Sequence, residues 1–180
     1  MTYKKGVLMF SLFQNELNRK KSMERPVMDG ELLRLHRLLK EEIKVKFSSK
    51  LKLYIIDTGS CNACEVELQA LFNPLYNVNK VGIEVVYHSS QADIMILTGL
   101  LTENMYPHCR EAYQQLKEPK HVVTLGDCPL FHAPFQKSFA IKGEANIHFS
   151  TQFHIKGCPP EPKGILRGLL KYITSLESVR

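Results

Sequence analysis

Five cysteines stand at positions 61, 64, 109, 128 and 158, and four of them sit in settings suited to metal ligation. Cys61 and Cys64 form a C-x2-C pair within Gly59-Ser60-Cys61-Asn62-Ala63-Cys64. Cys128 closes Gly126-Asp127-Cys128, and Cys158 lies in Gly157-Cys158-Pro159-Pro160. An odd count argues against a disulfide framework and for a reducing compartment. Consistent with that, the apolar run from Gly6 to Phe13 follows Lys4 and Lys5 but precedes no A-x-A-like cleavage site, and it is not read as a signal peptide. Structural zinc is usually held by two close cysteine pairs on a small ribbon or finger. One pair and two distant singles, the last followed by Pro, suit a [4Fe–4S] centre better. Zinc is the weaker alternative, and a thioredoxin-like redox pair would leave Cys128 and Cys158 unexplained.

The elements around these residues alternate between strand and helix. Leu51 to Asp57 reads as a strand directly before the first motif, with a helical stretch from about Glu65 to Leu71 after it. Gly82 to Tyr87 and Asp93 to Leu97 read as strands, and Pro107 to Leu116 as a helix with Cys109 and Ala112 on its apolar face. His121 to Leu125 and Gln152 to Ile155 are further strands, and a closing helix carries Ile165, Leu169 and Ile173 on one side. Strands alternating with helices of this length imply βαβ units and a mostly parallel sheet. Cys61 and Cys64, Cys128 and Cys158 each follow the carboxyl end of a strand, where open α/β sheets bind ligands. Helix N-termini on that edge would favour an anionic cluster. Cys109 reads as a buried hydrophobe.

Length and charge narrow the class further. The 180 residues are 44% hydrophobic and 23% charged, which fits one compact domain with an appendage, and no stretch approaches the length of a spanning helix. Net charge is +6: residues 1–50 hold 12 Lys and Arg against 6 Asp and Glu, and the remainder is balanced at 12 against 12. No basic motif interleaved with aromatics appears in the body of the chain, which excludes a nucleic-acid partner. Residues 1–48 therefore read as a basic N-terminal arm and amphipathic helix, and residues 49–180 as the α/β domain that carries the cluster. The first 28 residues read as an irregular or partner-ordered arm. From Asp29, a capping residue, a helix runs to about residue 47 with an apolar stripe at Leu32, Leu35, Leu39 and Ile43, opposite Arg34, Arg37 and Lys44. Ser48-Ser49 is read as a hinge after it. That stripe needs a cover: the chain's own sheet, an anionic lipid surface, or a membrane-embedded partner, the last being favoured.

Taken together, the segment from Asp57 to Glu67, Ala92-Asp93-Ile94-Met95-Ile96-Leu97-Thr98-Gly99, Gly126-Asp127-Cys128 and Gly157-Cys158-Pro159-Pro160 resembles a known set. It is similar to the small subunit of membrane-bound [NiFe] hydrogenases of the hydrogenase-3 and hydrogenase-4 (formate hydrogenlyase) type. These in turn are similar to the 20 kDa subunit of respiratory NADH:quinone oxidoreductase. The resemblance spans about residues 51–175. The respiratory branch places two cysteines side by side, whereas Asn62 and Ala63 separate Cys61 from Cys64, as in the hydrogenase branch. The resemblance implies a flavodoxin-like α/β fold, an open and mostly parallel sheet with helices on both faces. It also implies one [4Fe–4S] cluster on Cys61, Cys64, Cys128 and Cys158, relaying electrons for a partner's active site. The chain would be a non-catalytic subunit, with a hydrogenase-type large subunit, other iron–sulfur subunits and membrane-embedded subunits as partners, peripheral on the cytoplasmic side of the cell membrane.

The same resemblance marks Glu67, three residues after Cys64, as a carboxylate that couples protons to electron transfer. The competing reading is an ordinary first-turn helix acid. His132 and His154 flank the third and fourth cysteines and read better as surface or core-satisfied histidines than as partners of a cluster. Asp127 beside Cys128 reads as solvent-exposed, because a buried charge would disfavour a reduced cluster. Members of the resembled family often carry a Gly-rich stretch after the third cysteine, where this chain has Pro129-Leu130-Phe131-His132-Ala133-Pro134.

Overall fold

A computed structural model of the chain describes residues 28–130 and 137–177; the arm expected over the first 28 residues lies almost wholly outside the described residues. The first described element is helix α1, Gly30–Lys46. Asp29 starts it: its Oδ1 accepts the Leu32 N–H at 2.8 Å, satisfying a donor that the first helical turn leaves free. Glu31 in the first turn and Lys44 and Lys46 in the last complement the helix dipole. The turn that ends it passes through Ser48 and Ser49, both at positive φ (50° and 79°), where a hinge was expected; α1 on its near side is packed into the domain core.

Five parallel strands follow: β1 Leu51–Asp57, β2 Ile83–Val85, β3 Ile94–Thr98, β5 Val122–Leu125 and β7 Phe153–Ile155. They hydrogen-bond in the order β2-β1-β3-β5-β7, the doubly wound order whose direction reverses between β1 and β3. Helices α2 Ala63–Ala70, α3 Tyr106–Gln115, α4 Ala145–His148 and α5 Pro162–Ser175 connect or close the strands. A small antiparallel ribbon pairs β4, Leu101–Thr102, with β6, Ile141–Gly143; neither strand nor α4 was expected.

All five residues of β3 are buried, as a central strand covered on both faces requires. Alternate side chains divide between two cores. Leu51, Leu53, Ile94, Ile96, Val123 and Leu125 pack with α1, α5 and Leu68 of α2. Ile56, Met95, Leu97 and Val122 pack with Cys109 and Ala112 of α3 and with Phe149. The open, mostly parallel sheet with helices on both faces is thus the fold the sequence implied.

The cover of the α1 stripe differs from the favoured expectation. Leu32, Leu39 and Ile43 are 0–1% exposed and Leu35 is 7% exposed, all within the core shared with the sheet and α5. The domain itself covers the stripe, so no membrane partner is needed for it. Polar contacts hold α1 along α5. Asp29 pairs with Lys163, Glu31 with Arg167 at 2.8 Å, and the Lys46 ammonium donates to the Ile173 and Thr174 carbonyls at 2.6 and 3.1 Å. The ion pairs are exposed and contribute little; the buried leucines carry the packing.

Replacing Leu39 by Ala is therefore expected to destabilise the domain by about 2–5 kcal/mol, whereas Leu33→Ala on the exposed face stays within about 0.5 kcal/mol. Chemical denaturation of the two variants checks this, and equal midpoints would place the stripe outside the core.

Candidate metal centre

The register sets the geometry of the site. Asp57 of β1 pairs with Thr98 of β3, Thr98 with Leu125 of β5, and Leu125 with Ile155 of β7, so four strands finish in one row. Every chain segment leaving that row enters the same space, and three of those segments carry cysteines.

The first segment is wound tightly by its own side chains. Asp57 Oδ1 accepts the N–H groups of Gly59 and Ser60 at 2.8 and 2.6 Å, an Asx turn, and Ser60 Oγ accepts the Asn62 N–H at 3.0 Å. Asn62 adopts a left-handed conformation, φ 68°, and α2 starts at the next residue. Cys61 is left exposed in the loop, and Cys64 sits half-buried in the first turn of α2, packed against the core below it.

The second and third cysteine segments are clamped to each other. The Gly126 N–H donates to the Ile155 carbonyl at 2.9 Å and the Asp127 N–H to the Gly157 carbonyl at 3.0 Å. In return, the Gly157 N–H donates to Asp127 Oδ1 at 2.8 Å. Cys128 and Cys158 follow these bonds directly, the former half-buried and the latter exposed. Gly126 has φ +83°, and a Cβ built there would lie 2.6 Å from Cys64 Sγ. This glycine is required twice over, by backbone conformation and by the room it leaves for the thiol of another segment.

The four thiols sense one another. Burial pushes the Cys64 thiol up to about 12, with further upward contributions from Glu65, Cys128, Cys61 and Cys158. The Cys128 thiol is raised by burial first, then by Cys158, Cys61 and Asp127. Cys64 and Cys128 are thus held back from ionising, chiefly by burial and further by neighbouring negative charge, the condition that a bound cationic group relieves. Among the described residues, no three His, Cys, Asp or Glu side chains close on a point as they do around a single metal ion. The donor set is all sulfur, and Gly126 leaves a cradle beside Cys64; both fit an iron–sulfur cluster.

The remaining candidates fall as follows. Glu67 is half-buried on α2 and makes no hydrogen bond or ion pair among the described residues. Cys109 is fully buried on α3 in the core of the other sheet face, and its thiol is pushed up to about 11, chiefly by burial. His132 lies outside the described residues. His154 is half-buried, with Nδ1 2.9 Å from Thr124 Oγ1 and Nε2 3.9 Å from Asp127 Oδ1. The Asp127 side chain is 44% exposed, yet it clamps two cysteine loops. Sequence reasoning passed over that role, although an acid immediately after a strand-ending Gly is a turn signal. It also passed over Glu65, whose one carboxylate oxygen accepts the Thr98 hydroxyl while the other is buried without a hydrogen bond.

Residues 61–172 match the family described as NADH ubiquinone oxidoreductase, 20 Kd subunit. An NADH-quinone oxidoreductase subunit from Carboxydothermus hydrogenoformans is 34% identical over 118 residues, which are 65% of this chain and 71% of that protein. Formate hydrogenlyase subunit 7 of Escherichia coli is 30% identical over 139 residues, 77% of this chain and 54% of that protein. A chain in the structure of an archaeal membrane-bound sulfane sulfur reductase superposes with a TM-score of 0.61 at 21% identity. The superposition covers 78% of this chain and 77% of that one, and it supports the fold.

The Asp127 clamp is testable on its own. Asp127→Ala removes the acceptor of the Gly157 N–H, worth about 1 kcal/mol at a partly exposed site, and speeds hydrogen exchange of that amide several-fold. Asp127→Asn keeps an oxygen acceptor and leaves exchange within about twofold. Unchanged exchange in the Ala variant would show that the carboxylate does not hold the loop.

Proposed function

We propose, on the premise that this chain belongs to the NADH ubiquinone oxidoreductase 20 Kd subunit family, that it is the electron-transfer subunit of a membrane-bound oxidoreductase complex. It carries one [4Fe–4S] cluster on Cys61, Cys64, Cys128 and Cys158. One observation supports this reading: the three separated segments that carry Cys61, Cys64, Cys128 and Cys158 all leave the row where β1, β3, β5 and β7 end. The separation of Cys61 from Cys64 by Asn62 and Ala63 favours a hydrogenase-type complex over a respiratory NADH:quinone type.

Bound on these four sulfurs, a [4Fe–4S] cluster supplies one-electron transfer. The rest is the chain's own work. The Asx turn at Asp57 and the helix start at Ala63 fix the first two ligands, and the Asp127–Gly157 exchange fixes the other two relative to each other. Cys64 lies in the first turn of α2, where the helix dipole would favour a negatively charged group. Cys61 and Cys158 are exposed on the described surface, so the site opens on the side where a large subunit holding the reacting centre would dock. Glu67, three residues after Cys64 on α2, would influence protons near the relay. Among the described residues no helix is long and apolar enough to cross a membrane; attachment on the cytoplasmic face would come through membrane-embedded partner subunits.

The competing reading is a zinc-stabilised scaffold. Analysis of anaerobically purified protein separates them. About four irons and four acid-labile sulfides per chain are expected from one cubane, and stoichiometric zinc without sulfide would overturn the relay. Ser substitution at Cys61, Cys64, Cys128 or Cys158 is expected to abolish or reshape the EPR signal of the reduced cluster, while Cys109→Ser leaves it intact. Loss of the signal at Cys109 with retention at Cys158 would refute the ligand set. Gly126→Ala sets a Cβ against Cys64 Sγ and adds about 1–2 kcal/mol of backbone strain. It is expected to lower iron content while the far-UV circular dichroism of the domain persists. Glu67→Gln is expected to keep the cluster and slow turnover of the complex; unchanged activity across pH would return Glu67 to an ordinary helix acid.

A further inference from the structure

The edge of the sheet opposite the thiols carries a second concentration of chemistry. Where α1 ends and β1 and β2 begin, a groove of about 270 Å³ is lined by Lys40, Lys44, Lys50 and Lys80, with Glu84 as the acid among them. Glu84 is already engaged by Lys50 at 2.5 Å. Lys40, Lys44 and Lys80 make no ion pair or hydrogen bond among the described residues, and all three are exposed. The charge of Lys80 is felt at His36, on the neighbouring face of α1, where it adds to burial in holding the imidazole pKa down.

Three unpaired ammonium groups around one concavity repel each other, and a concave wall focuses their field. The walls cannot spread to relieve it. Leu39 and Ile43 of α1 are fully buried, as is Val78 in the 3-10 turn Val78–Val81 on the other side. Gly82, at φ +94°, sits so close that a Cβ would lie 2.4 Å from the Ser49 carbonyl. Ser49 and Asn77 near the groove also hold positive φ, at 79° and 42°. The lysines are thus presented by a rigid frame on flexible stems, which suits convergence on a compact anion as point charges.

The lining distinguishes among anions. It includes no aromatic side chain, and its apolar member, Val81, is 4% exposed. Acidic protein partners are anchored by buried aromatic and aliphatic residues that this groove does not present. A phosphate group needs only charge and donors.

We propose that the groove formed by Lys40, Lys44, Lys50 and Lys80 is a binding site for a phosphate-bearing ligand, as a free phosphate or as the headgroup of an anionic lipid. The proposal does not depend on the redox reading of the opposite edge. The test uses the full chain with inorganic phosphate, following the amide resonances of Ser49, Lys50 and Asn79 to Gly82 against chloride at equal ionic strength. Saturable shifts are expected with phosphate alone. The exposed-residue variant Lys40→Gln/Lys80→Gln is expected to weaken them on the order of tenfold, and Lys117→Gln, outside the groove, to leave them unchanged. Co-sedimentation with phosphatidylglycerol vesicles but not phosphatidylcholine vesicles, lost in the double variant, would identify the lipid source. Phosphate shifts without vesicle binding would identify the free anion. Equal responses to chloride and phosphate, or an undiminished response in the double variant, would overturn the site. So would loss of a co-purifying subunit from the double variant with no phosphate response in the parent, which would make the groove an acidic-protein contact.

Discussion

In a parallel sheet every strand points the same way, so every strand must deliver the chain to the same edge. Here the register makes that constraint unusually tight: Asp57, Thr98, Leu125 and Ile155 stand side by side, and nothing longer than a short turn separates each cysteine segment from that row. Three interstrand spacings, about 14 Å, separate β1 from β7, a span that a compact site could not bridge if each loop rose straight from its own strand. The chain closes it by leaning α2 across the end of β3. The Thr98 hydroxyl bonds Glu65 and the Cys64 thiol reaches the space above Gly126. β3 itself leaves the row through Gly99 and contributes no cysteine.

The two edges of the sheet divide the electrostatics. The carboxyl edge gathers thiols with Asp57, Glu65 and Asp127 close by, while the amino edge gathers lysines from α1 and the strand starts. The basic excess of the first fifty residues is therefore not a tail added to a neutral body. Its helical part is built into the domain, with its apolar side inside the core and much of its charge beside β1 and β2.

Most of this was legible from residue types. Leu51 to Asp57 is a strand with the bounds its sequence suggests, because Leu51, Leu53, Tyr54, Ile55 and Ile56 ended by a turn-forming acid have few alternatives. The cysteine spacing announced the shared edge, since each motif follows a strand. Other features were closed to sequence reasoning for definite reasons. Periodicity at Leu32, Leu35, Leu39 and Ile43 declares that a stripe must be covered, not by what, and the domain's own sheet proved sufficient. β4 and β6 are two and three residues long and pair across about forty positions, too short for any pattern to register. With the helix expected from about Glu65, Glu67 reads as a first-turn acid; α2 in fact starts at Ala63, which leaves Glu65 in the first turn, where it reaches Thr98. The Asp127 clamp depends on a partner thirty residues away.

That thirty-residue reach bears on how the molecule is made. Cys61 and Cys64 are available as soon as the first half of the chain has been synthesised, but Cys158 takes its place only after β7, the last strand, has added itself to the edge of the sheet beside β5. A chain made to its midpoint offers one pair of these thiols, and a chain made through the turn after β5 offers three. The last of the four sulfurs therefore joins the others at one edge only when β7 pairs with β5, so the arrangement is a property of the closed sheet and not of any single segment.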